Sequence, residues 1–238
     1  MYQEKTISKG RRKDKILDAA EKLFADHGFD GVTLRQIADE AGVDLALASY
    51  HFGNKLGLFD AALTRRAEFM NKVRLDVLNK CIEESGPQGP DIETLMEISI
   101  RPVLDPDMPL TDGWRNYLRL VAYVNNSGQW GRDAMTKYFE PVLKAYLEAW
   151  KRALPKAKDE DLYWCYHFFS GALTLSFAQT GRIDHYSKGL CKSTDLQAAC
   201  KRMIPFMAAG FKALCDPEGE DQTQNKSIMP QRTKIYLD

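Results

Sequence analysis

Residues 34–52 constrain this chain more than any other stretch, because they read as two short helices that must meet at a sharp angle. Such a meeting needs a small residue at the crossing, a glycine in the turn and apolar residues on the inward faces. Ala38 is the small crossing residue and Gly42 the turn, while Ile37, Ala41, Val43, Ala48 and Phe52 supply the inward set. Thr33 stands at the N-cap position of the first helix and Asp44 at that of the second. In a helix-turn-helix the second helix enters the major groove of DNA, which leaves the other residues of 44–51 facing outward as readers. An ordinary helical hairpin has the same spacing, so the segment by itself leaves both readings open.

The rest of the chain carries the same helical period, with no sustained alternation of the strand type. The first helix is expected over 11–27, with Ile16, Ala20, Leu23, Phe24 and His27 on one face and Gly28 as its stop. Asn54 opens a long fourth helix, and the Gly/Pro-rich run 85–90 closes it. Further helices are expected near 91–104, 112–126, 133–153, 160–181 and 194–214. Residues 105–109 form a linker, Pro141 and Pro205 each mark a kink or a helix start, and Thr194 has capping-box spacing for the last helix. This is an all-α chain, divided into a basic flexible arm (1–14), a three-helix head (15–63), a helical bundle (64–215) and a polar tail (216–238).

With 238 residues, the chain can bury a core without covalent staples, and its five scattered cysteines form no CxxC pair, which points to a reducing compartment. The basic N-terminus is followed by no apolar run, so no signal peptide is expected and the location is read as cytoplasmic. Residues 162–181 lack Asp, Glu, Lys and Arg over a membrane-spanning length, yet Tyr163, Trp164, His167, Ser170, Thr174 and Gln179 suit a helix buried by protein, not lipid. Zero net charge conceals an uneven distribution: residues 1–15 hold six basic and two acidic groups, whereas residues 16–64 hold three basic and eight acidic. No generic basic patch covers the head, so nucleic-acid binding must rest on the motif and the arm.

The run 15–63, with Ile16-Leu17-Asp18-Ala19-Ala20, His27-Gly28-Phe29, Thr33-Leu34, Ala41-Gly42-Val43, Tyr50-His51-Phe52 and Asn54-Lys55, resembles the DNA-binding domain of the TetR family of bacterial transcriptional regulators. The resemblance implies a homodimer whose first four helices bind a double-stranded DNA operator and whose remaining helices bind a small-molecule effector and the second subunit. It also implies roles for single residues. Thr33, Tyr50, His51 and Lys55 are candidate phosphate contacts, Arg35 and Gln36 reach groove or backbone, and Leu45, Ala46 and Ser49 face the bases. The sequence departs from the family pattern at Asp44, where Ser or Thr is common, and at Ser49, where Tyr is common. A phosphate would repel Asp44, and Ser49 is a small reader able to bond several bases. The basic arm either follows the DNA or stays solvated.

Fifteen of the 25 aromatic residues fall within 114–186, which locates a large core, a pocket or an interface there. Trp114, Tyr117, Val121, Asn125, Phe139, Val142, Tyr146 and His167 are the candidate effector contacts, in a mostly apolar pocket suited to an apolar or aromatic molecule. Gly171, Leu175 and Ala178, with the stripe Leu196, Met203, Met207 and Phe211, are the candidate subunit interface. No catalytic motif, metal-ligand cluster or cofactor fingerprint is present, so no enzyme and no cofactor is expected. The alternative function is a helical module that binds protein instead of DNA.

Overall fold

The computed structural model describes residues 2–104 and 111–216, with side chains from residue 12 onward. The linker 105–109 and the tail after 216 lie outside the described residues. Among the described residues there is no strand; ten α-helices and one short 3₁₀ turn at Gly86–Gln88 make up the fold.

Helix α1 spans Tyr2–His27 and buries Ile16, Leu17, Ala20 and Phe24. Its backbone is helical nine residues ahead of the expected start at 11, because the polar N-terminal run contains no proline and propagates the helix. Gly28 ends it at φ +71, and a Cβ there would lie 2.9 Å from the Tyr123 ring, so this turn requires glycine twice over.

Helices α2 (Leu34–Ala41) and α3 (Leu45–Phe52) form the sharp pair. Ile37, Ala38 and Ala48 are fully enclosed, Gly42 takes the left-handed conformation at φ 64, and the Val43 N–H donates to the Ala38 carbonyl at 3.0 Å. Thr33 closes the expected N-cap, joined by the Gln36 side chain in a reciprocal capping box. Asp44 occupies the cap position of α3 through its backbone carbonyl only; its carboxylate makes no cap bond.

Helix α4 (Lys55–Glu84), capped by Asn54, has 30 residues and so reaches about 45 Å. The bundle follows: α5 (Ile92–Leu104), α6 (Asp112–Asn125), α7 (Gly128–Ala153), α8 (Asp159–Ala178), α9 (Arg182–Tyr186) and α10 (Leu196–Cys215). The 63/64 boundary falls inside α4, and one hydrophobic core continues from Ile16 to Cys215. Helix α10 packs on α5 and α8, while α6 packs on α8 and α1. Pro141 and Pro205 start no helix: α7 and α10 run through them, with both prolines on the exposed side. Asp195, not Thr194, caps α10, accepting from the Ala198 N–H at 2.9 Å. The short α9 was not legible in the sequence; the Asp184 carboxylate fixes it by accepting from the Ser193 N–H at 2.6 Å. No described helix is long and apolar enough to cross a membrane.

Candidate nucleic-acid interface and internal cavity

The helical pair presents its readers on a rigid base. Ala48 is fully buried against the head, so α3 is pinned along one side, and Leu45, Ala46 and Tyr50 lie exposed on the other. Tyr50 is 71% exposed at the end of α3. Ser49 and His51 are partly buried, and His51 Nε2 is enclosed without a partner among the described residues. Arg35 and Thr33 are exposed at the start of α2.

Two of the expected contacts have other work in the structure. The Gln36 side-chain carbonyl accepts from the Thr33 N–H at 2.8 Å and so belongs to the cap. The Lys55 ammonium donates to the Phe29 carbonyl at 3.0 Å and sits 4.2 Å from the centre of the Phe29 ring, tying the turn after α1 to the start of α4. Lys13, of the basic run 1–14, lies 5.9 Å from the Phe52 ring at the end of α3 and brings a cation beside the reading helix.

Four of the eight acidic residues that weighed against the head pair with cations from outside it, while Asp39 and Asp44 stay exposed beside the helix pair. Asp18 pairs with Arg65 at 2.7 Å, Asp26 with Arg119 at 2.7 Å, and Asp60 with Lys137 at 3.0 Å. Glu21, fully buried, accepts from Arg65 at 2.7 Å and from Arg66 at 2.9 Å. Burial raises the Glu21 carboxyl above its ordinary value, against the pull of the two guanidiniums. The negative charge of the head thus serves as a set of ties to α4, α6 and α7. Aromatic packing adds to them, with Trp130 of α7 set against Phe29 and Phe59 at 5.6 and 5.0 Å.

An internal cavity of about 90 Å³ lies among α4, α6, α7 and α8. Tyr117, Val121, Phe139 and Tyr146 line it as the sequence suggested, together with Met70, Arg74, Trp150, Tyr166, Phe169 and Phe177. Four expected contacts do not line it. Trp114 packs outward, 4.9 Å from the Arg66 guanidinium and 5.8 Å from Phe69; Val142 is core. Asn125 donates to Thr174 at 3.5 Å and so touches a lining residue without reaching the cavity. His167 is exposed beside Trp164, because α8 turns it to the opposite face. Sequence reasoning missed Arg74, although it follows buried Met70 by one turn of α4, a position where a charge is unexpected.

The expected interface stripe is also corrected. Leu196, Met203, Met207 and Phe211 are 1–7% exposed, covered by this chain's own helices, so they are core and cannot meet a second copy. Gly171 and Leu175 are exposed and Ala178 partly so. Beside Leu175, the large exposed side chains include Trp164 and Phe168 on α8, Ile183, Tyr186 and Leu190 around α9, and Phe206 on α10. A groove of about 550 Å³ runs between the end of α8, α9 and the start of α10.

A capped, glycine-turned helix pair with an exposed reading face, mounted on a helical bundle with an internal cavity, defines a helix-turn-helix regulator fold. Comparison with known proteins makes the assignment specific. Residues 16–62 match the model of bacterial regulatory proteins of the tetR family, and residues 97–210 match the tetracyclin repressor-like C-terminal domain. The chain belongs to the TetR family. Among curated relatives, it is 34% identical over 68 residues to the biofilm operon icaADBC HTH-type negative transcriptional regulator IcaR of Staphylococcus aureus strain Newman, covering 29% of this chain and 37% of IcaR. It is 36% identical over 77 residues to the HTH-type transcriptional regulator BetI of Agrobacterium fabrum, covering 32% of this chain and 36% of BetI. The matched part is little more than a third of those relatives' length. Among solved structures, the fatty acid degradation regulator FadR from Bacillus halodurans superposes with a TM-score of 0.60 at 17% identity, over 84% of this chain and 95% of FadR. HlyIIR, a hemolysin II transcriptional regulator, superposes with a TM-score of 0.54 at 16% identity, over 87% of this chain and 99% of HlyIIR. At that identity these likenesses concern the fold alone.

Proposed function

We propose that this chain is a DNA-binding transcriptional repressor that acts as a homodimer and is released from a palindromic operator by a small apolar or aromatic effector. The observation that carries this reading is the double duty of α4. Its first turns bury Leu58, Phe59 and Leu63 in the head, and Met70 and Arg74 further along it line the cavity. A molecule that wedges the cavity open therefore displaces the same helix that supports the reading pair. Release requires only that the effector prefer one conformation; a difference of about 1–3 kcal/mol changes operator affinity about 5–150-fold.

On DNA, Leu45, Ala46 and Ser49 read base edges from α3. Thr33, Arg35, Tyr50 and His51 meet the backbone, with Lys13 added from α1. Lys55 and Gln36 act by holding the turns. The second copy seats on the exposed face of α8, α9 and α10, and two-fold symmetry then matches half-sites about one helical turn, or a multiple of it, apart. The test is a gel shift with a palindromic fragment from the neighbouring promoter across a salt series. A steep fall in affinity with salt is expected from phosphate contacts. Binding to no palindromic fragment would leave the helix pair as a protein-binding module.

A further inference from the structure

The arginines around the head are paired: Arg65 and Arg66 with Glu21, and Arg119 with Asp26. Arg74 is different. Its Nε is enclosed and has no hydrogen-bond partner among the described residues, while the rest of the guanidinium lies 5.3 Å from the Tyr146 ring centre and acts on the Tyr146 hydroxyl. The side chain is partly buried, and a cation–π contact leaves the enclosed Nε–H without an acceptor. Arg74 also stands on the wall of the otherwise largely apolar cavity.

Two further groups on that wall point to the same chemistry. Trp150, 1% exposed, leaves its indole Nε1–H enclosed and unpartnered among the described residues. The Tyr117 hydroxyl is held neutral: burial raises its pKa, while the Arg74 and Arg66 charges pull only weakly the other way. An indole N–H and a guanidinium N–H can only donate, and a neutral phenol can donate as well. The cavity therefore offers donors and a positive charge to whatever enters, and the complementary group is an anionic acceptor. Its body must be apolar, to sit among Met70, Val121, Phe139 and Phe177. At about 90 Å³ the cavity is small beside an engineered one of roughly 150 Å³ that holds benzene, so such a molecule would bind with outward adjustment of the walls, Met70 and Arg74 of α4 among them.

We propose that the effector is an apolar monocarboxylate, with Arg74 as its counter-ion and Tyr117 and Trp150 as further donors to its oxygens. This rests on the effector pocket proposed above. The test measures calorimetric binding of two acid–alcohol pairs, octanoate with octanol and phenylacetate with phenylethanol, to the full chain, followed by Trp fluorescence. The acids should bind about tenfold or more tightly than their alcohols, in keeping with a hydrogen-bonded charge pair. Arg74→Gln should bring each acid to the level of its alcohol and leave the alcohols unchanged, whereas Arg74→Lys should keep part of the preference. Equal binding of acid and alcohol, or a preference that survives Arg74→Gln, would overturn the carboxylate assignment while the pocket stands. If none of the four binds, the pocket reading fails and the counter-ion role with it.

Discussion

Phe206 and Met207 are neighbours on α10 with opposite fates. Phe206 is 73% exposed and Met207 is 7% exposed, so the proposed dimer makes opposite demands on them. Burying a whole Phe side chain contributes about 1.5–3 kcal/mol, and burying the exposed three quarters of it about 1–2 kcal/mol. A two-fold interface uses the residue twice, so Phe206→Ala should cost the dimer about 2–4 kcal/mol, or roughly 30- to 700-fold in dissociation constant. Met207→Ala should leave association unchanged and instead lower the folding stability of each chain by about 2–5 kcal/mol, through the cavity it creates. Sedimentation velocity across a dilution series measures the first effect, and denaturant unfolding followed by circular dichroism measures the second. A Phe206→Ala protein that dimerises like the wild type, alongside a folded Met207→Ala protein that does not, would refute the assignment of the exposed face as the interface.

Glu21→Ala strands Arg66 and leaves Arg65 with Asp18 alone, and should cost about 3 kcal/mol, a fall in Tm of about 6–12 °C by calorimetry. Because burial raises the Glu21 pKa, the folded state takes up this proton more readily than the unfolded chain. Its contribution to stability is complete below the ordinary carboxylate pKa and is lost as pH rises through the raised value. Glu21→Gln should therefore remove that slope from the unfolding free energy measured as pH rises above the ordinary carboxylate range. Gly28→Ala places a Cβ against the Tyr123 ring at positive φ, and should destabilise by at least about 1–2 kcal/mol in urea titration. Tyr50→Phe should weaken all operators by a similar factor, whereas Ser49→Ala should reorder them; unchanged affinities from both in a folded dimer would remove these residues from the interface. With a maleimide, exposed Cys191 should react in the native protein while buried Cys165, Cys200 and Cys215 wait for unfolding; burial also pushes the Cys165 thiol up to about 12.

What the sequence by itself determined is local. The Thr33–Gln36 cap, the Gly42 turn and the Asn54 cap are settled within four residues of chain, because a cap or a left-handed turn depends on nearby backbone groups alone. That is why the helix-turn-helix was legible at single-residue resolution. Periodicity also marked the apolar stripe of α10 as a buried face. It could not say what covers that face. The stripe Leu196, Met203, Met207 and Phe211 looks the same whether α5 or a second copy lies on it, since a 3.6-residue period specifies which face is buried and carries no information about its partner. The same limit hid Arg74, whose role depends on three other helices closing a cavity around it, and it turned His167 and Trp114 away from that cavity. Nor could the acidic count of the head say which charges are paired: Asp18, Glu21, Asp26 and Asp60 meet cations up to 93 positions away, and only the tertiary packing brings those charges together.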